Sequence, residues 1–126
     1  AALSISLFTA CHKIEEIEES QVEKIVLWVQ VKEDYELTAA EAAKFIELYN
    51  SSTYAGEGPS EYGTTPEFGI VVYFRDGTTL CASDFEDSLD VTLHDSNEQQ
   101  TAWYYVKSEE LYQFVSDLAE AAPEKA

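Results

Sequence analysis

Cations are scarce in this chain: seven Lys plus Arg stand against 25 Asp plus Glu, for a formal net charge of -18 over 126 residues. So few basic side chains cannot neutralise many phosphates, which argues against nucleic acid as a partner. The same shortage removes polybasic adhesion to anionic lipid. No uncharged apolar run approaches the roughly 20 residues that span a bilayer. Histidine occurs only at His12 and His94, so a general base titrating near neutrality has two sources. Cysteine occurs only at Cys11 and Cys81, too few for the converging His and Cys pairs of a zinc site. Gly56, Gly58 and Gly63 have the wrong spacing for a phosphate cradle and follow no predicted strand. No G-x-S-x-G or other nucleophile signature is present.

What is present describes a folded, exported chain. Apolar residues make up 45% and aromatics 13%, which places the protein outside the low-hydrophobicity class that stays disordered. Residues 1–10 carry no charge and are mostly Leu, Ile, Phe, Ala and Ser, the apolar-then-small progression of a secretory signal nearing its cleavage site. Leu7-Phe8-Thr9-Ala10-Cys11 resembles the lipobox of bacterial lipoproteins. The resemblance implies that Cys11 is lipidated and becomes the mature N-terminus. The chain starts at Ala1 with neither Met nor a basic n-region, so more of the signal is expected upstream. An alternative reading makes Ser4 to Cys11 an edge strand of the fold, in which case a Cys11 to Cys81 disulfide becomes plausible.

The expected organisation is a signal remnant over residues 1–10, an acidic tether over 11–20, and a single domain over 21–122. Without the signal about 115 residues remain, near the commonest size of one domain. Val22 to Lys32 alternates as a first strand, with Ile25, Leu27, Val29 and Val31 on one face. Thr38-Ala39-Ala40-Glu41 reads as a capping box opening a helix whose stripe is Ala42, Phe45, Ile46 and Tyr49. Ser51 to Glu67 reads as a long loop. Phe68 to Phe74 and Thr78 to Ser83 form a hairpin, with Asp76-Gly77 as the two positive-φ residues of a type I′ turn. Two further strands follow, Leu89 to His94 and Ala102 to Lys107. Ser108 caps a last helix with the stripe Leu111, Phe114, Val115 and Leu118. The predicted fold class is α+β: one antiparallel sheet of about five strands, order β-α-β-β-β-β-α, with two helices on one face. No repeat and no second domain are visible.

Three further segments resemble small lipoprotein domains of Gram-positive bacteria: Gly63 to Ile70, Phe74-Arg75-Asp76-Gly77, and Trp103 to Ser108 with Leu111. The likeness rests on structural residues. It implies an envelope-anchored domain and carries over no catalytic residue.

Candidate chemistry is thin. Glu67, Asp90 and His94 would have to converge for an envelope hydrolase using carboxylates. Asp84, Glu86, Asp87 and Asp90 could gather oxygen ligands for calcium, although the calcium-loop template wants Gly where Leu89 stands. Cys81 has no cationic neighbour to activate it. Tyr54 and Tyr62 in the long loop, with Trp103 and Tyr105 on one strand face, could supply a recognition surface. The expectation is therefore a non-catalytic binding or interaction module without cofactor or metal. It would be a monomer, extracytoplasmic and held to the membrane by lipid, facing an envelope protein or glycan. The alternatives are the hydrolase and an intracellular acidic mimic of nucleic acid.

Overall fold

A computed structural model of the protein describes residues 13–59 and 65–124. The expectations placed on residues 1–12, including Cys11 and its lipobox, and on Tyr62 lie outside the described residues. A 3-10 turn, Glu19–Gln21, precedes strand β1, Val22–Val29. Then come β2 Tyr35–Glu36, α1 Ala39–Asn50, β3 Thr53–Glu57, β4 Phe68–Phe74, β5 Thr79–Phe85, β6 Ser88–His94, β7 Gln100–Lys107 and α2 Glu109–Ala121. The strands form one antiparallel sheet in the order β2-β1-β4-β5-β6-β7-β3.

The class is α+β as expected, with two helices and one antiparallel sheet, but the sheet has seven strands. The two extra strands, β2 and β3, are short edges. β3 lies inside the segment expected to be a loop, because Tyr54 alone supplies an inward apolar residue while backbone pairing to Lys107, Val106 and Tyr104 does the rest. Such a strand has no alternation strong enough to read.

Alternation along the central strands sends Ile25, Leu27, Ile70, Val72, Leu80, Ala82, Leu89, Val91, Tyr104 and Val106 to one face, where they are buried. Phe45, Ile46 and Tyr49 of α1 and Leu111, Val115 and Ala119 of α2 complete the same core. Both helix starts follow their sequence signals. Thr38 Oγ1 accepts from the Glu41 amide and Glu41 Oε1 accepts from the Thr38 amide, and Ser108 Oγ accepts from the Leu111 amide. At the other end of α2, Lys32 Nζ donates to the carbonyls of Ala119 and Glu120, placing a cation on the negative end of the helix.

Three local expectations are corrected. The first strand stops at Val29, not Lys32: Gln30 and Val31 turn, and Val31 sits at φ 60 with 77% of its surface exposed. The β4–β5 turn is not type I′. Only Gly77 of the pair has positive φ (93), while the Asp76 carboxylate accepts from the Thr78 amide and hydroxyl and so holds a three-residue loop. Thirdly, the expected tether is packed onto the domain from Ile14 onward. Ile17 is 3% exposed within the core. The Asn50 side chain both accepts from the Ile17 amide and donates to its carbonyl, at 2.8 and 2.9 Å. The Glu15 amide donates to the Tyr104 hydroxyl at 2.9 Å, and that hydroxyl is hydrogen-bonded to Tyr49. Full burial of one isoleucine is worth about 1.5–3 kcal/mol, so this arm is part of the fold.

Candidate binding groove

The acidic arm crosses the inner face of the sheet near the end where the β4–β5 and β6–β7 hairpins turn. Between the arm and those turns lies an open groove of about 520 Å³. Its floor continues the core pattern: Phe74 of β4, Leu80 of β5, Leu93 of β6 and Ala102 of β7. Phe74, Leu93 and Ala102 are half-buried, apolar side chains that the core does not fully cover. The rim is carboxylate. Glu15, Glu16 and Glu18 come from the arm, Asp76 from one hairpin loop and Asp95 from the end of β6, with His94 beside it.

Loop geometry holds two of these acids in place. Thr78 donates to Asp76 from its amide and hydroxyl, which keeps that carboxyl below the usual aspartate range. The amides of Asn97 and Gln99 donate to Asp95 Oδ1. The three arm glutamates are exposed. Among the described residues the ion pairs are Lys32 with Glu124 and Lys107 with Asp87, neither of them in the groove.

The residues singled out from sequence do not form one site. Tyr54 faces the helix side and its ring lies 5.7 Å from that of Tyr104. Trp103 and Tyr105 occupy the opposite face, where Tyr105 packs on Phe85 with ring centroids 4.9 Å apart. The proposed aromatic surface is therefore split by the sheet itself. On that second face, cross-strand register aligns Val26, Val71, Cys81, Thr92 and Trp103 in one row, and Trp28, Gly69, Ser83, Asp90 and Tyr105 in the next. The two indoles lie over glycines. A Cβ on Gly69 would stand 2.6 Å from Trp28, and one on Gly58 would stand 2.5 Å from Trp103.

The acids of the β5–β6 region diverge. Asp84 Oδ1 accepts from the amides of Glu67 and Phe68, and Asp87 pairs with Lys107 at 3.3 Å, which lowers its pKa. Asp90 Oδ1 accepts from the Trp103 indole at 2.7 Å. Burial still raises the Asp90 pKa above the usual value, with the indole bond opposing the shift. Glu86 occupies the exposed turn. The weak calcium set Asp84, Glu86, Asp87 and Asp90 is thus dispersed. Among the described residues no group of three or more His, Cys, Asp or Glu side chains is placed to hold a metal ion.

Glu67, Asp90 and His94 do not converge either. Asp90 and His94 are four residues apart on one strand, a separation of about 13 Å. Glu67 precedes β4 at the end of the sheet opposite His94, next to Asp84. Among the described residues Cys81 has no disulfide partner, and burial raises the pKa of its thiol against a weaker opposing bond to Thr92.

Sequence reasoning missed the groove. Its floor residues looked like ordinary core because alternation tells which face a side chain takes, not whether a helix reaches it. The available signal was the run Ile14-Glu15-Glu16-Ile17-Glu18-Glu19, whose two isoleucines among acids mark a segment that docks. No family model, no curated protein and no solved structure matches this chain.

Proposed function

We propose that the chain is an extracytoplasmic, lipid-anchored, non-catalytic binding module that takes its ligand in the groove between the acidic arm and the hairpin ends. The observation that carries this reading is the groove's composition: an apolar floor of Phe74, Leu80, Leu93 and Ala102 under a polar rim is the common make-up of a ligand site. The side chains considered for hydrolysis are held apart by the sheet, so the chemistry they would need has no geometric support. Anchoring rests on Leu7-Phe8-Thr9-Ala10-Cys11 and on a packed domain that begins a few residues beyond that cysteine.

Two measurements test the reading. In a bacterial host, the chain should take up labelled fatty acid and sediment with membranes, and Cys11→Ser should abolish both. Amide spectra of the Cys11→Ser chain titrated with an envelope extract should shift at residues 15–18, Phe74, Leu93 and Ala102. Shifts confined to Trp103 and its neighbours would move the binding surface to the other face, and an unshifted spectrum would remove the binding reading.

A further inference from the structure

Resting on that reading, we infer that the groove's ligand is a cationic amphipathic peptide, with Lys or Arg side chains against the rim carboxylates and apolar side chains on the floor. Charge complementarity fixes the sign. Glu15, Glu16, Glu18, Asp76 and Asp95 line one opening, no Lys or Arg among the described residues lines it, and the guanidinium of Arg75 donates from its Nε to the Ser20 carbonyl. Carboxylates of one sign around an apolar floor bias the local potential negative, which attracts cations and repels phosphate or carboxylate ligands. The floor fixes the rest. A small hydrated cation gains nothing from Phe74, Leu93 and Ala102, whereas an alternating peptide buries apolar surface there while its charges reach the rim. The volume of about 520 Å³ accommodates a few side chains rather than a folded partner.

Position supports the same occupant. Glu15 stands four positions after Cys11, a reach of at most about 14 Å in extended chain. With Cys11 acylated, the groove stands at the membrane surface, where cationic amphipathic segments concentrate.

The test uses the Cys11→Ser chain and a short synthetic peptide of alternating Lys and Leu, measured by calorimetry. Binding is expected, weakening about tenfold between roughly 50 and 300 mM salt as screening grows. Glu16→Lys/Glu18→Lys alters two exposed side chains and should weaken it about tenfold or more. Ala102→Phe fills the floor and should do the same while thermal unfolding stays cooperative. Glu67→Lys/Glu86→Lys makes an equal charge change at the other end of the sheet and should leave affinity within about twofold. Equal loss in that control would mean diffuse attraction to an acidic protein and would overturn the site. Spermine binding as tightly as the peptide, with Ala102→Phe silent, would reduce the groove to a rim for simple cations. A Glu-Leu peptide binding equally would remove the charge argument. If envelope extract shifts the groove amides but the Lys-Leu peptide does not bind, the ligand class is wrong while the binding module stands.

Discussion

Asp90 illustrates how a single residue's behaviour depends on register. The ladder pairs Asp90 with Tyr105 and Thr92 with Trp103, so the Trp103 indole reaches Asp90 on the diagonal. Alternation in the sequence puts Asp90, Thr92 and His94 on one face but leaves the partner unknown until β7 is aligned. Because burial outweighs the indole bond, the native state binds the Asp90 proton more tightly than the unfolded chain does. A carboxyl with a raised folded pKa costs stability in full above that pKa, and the cost disappears as pH falls below the unfolded value. Asp90→Asn, which keeps an acceptor for the indole, is therefore expected to be more stable than the parent at neutral pH. The advantage should shrink as pH falls to about 3.5, where most aspartates are protonated. Urea unfolding at both pH values checks this, and an Asn variant less stable at neutral pH would show that the indole bond to the charged carboxylate is the larger effect.

Two hairpins in this sheet make an internal comparison at the scale of elements. In the β4–β5 turn the Gly77 amide donates to the Phe74 carbonyl and the Phe74 amide to the Thr78 carbonyl. In the β6–β7 turn the Glu98 amide donates to the Asp95 carbonyl and the Asp95 amide to the Gln99 carbonyl. The pattern is the same, a three-residue loop whose last residue is left-handed: Gly77 at φ 93 and Glu98 at φ 63. Glycine adopts that conformation without strain, while a side chain there costs of order 1 kcal/mol. Glu98→Gly is expected to stabilise the protein by about 0.5–1 kcal/mol in denaturant unfolding, less than the full strain because glycine loses more backbone entropy. The reverse change, Gly77→Glu, should destabilise by a similar amount or more, since a Cβ there stands 3.3 Å from the Ser96 Cβ of the neighbouring loop. Asp76-Gly77 was visible as a turn because it carries glycine. Ser96-Asn97-Glu98 was readable only as a connection, since its left-handed residue has no local preference for that conformation.

Over the whole molecule the excess of acid sets the balance of forces. The described residues hold two ion pairs, both with an exposed acidic partner, and exposed pairs contribute about 0–1 kcal/mol each. Against them stands self-repulsion of a net charge of -18 in a compact volume. Added sodium chloride screens both, and the repulsion is the larger. The melting temperature is expected to rise from low salt to about 0.5 M, where the screening length falls below about 5 Å. A falling melting temperature would mean that the two pairs and helix-end contacts such as Lys32 on α2 outweigh the repulsion.

The amino-acid order alone determined both helices and their caps, the five longer strands and the face each presents, because each depends on neighbours within a few positions: Thr38 with Glu41, Ser108 with Leu111, and the two-residue period of a strand. Tertiary structure decided the rest. It added edge strands β2 and β3, packed the acidic arm through Ile17 and Asn50, separated Tyr54 from Trp103 by the thickness of the sheet, and dispersed the acids around Asp84. It also left Phe74, Leu93 and Ala102 at the edge of the helical cover, beneath carboxylates from three separate segments. Those relations join residues far apart in the chain, through backbone pairing that any side chain permits, and so no local pattern encodes them.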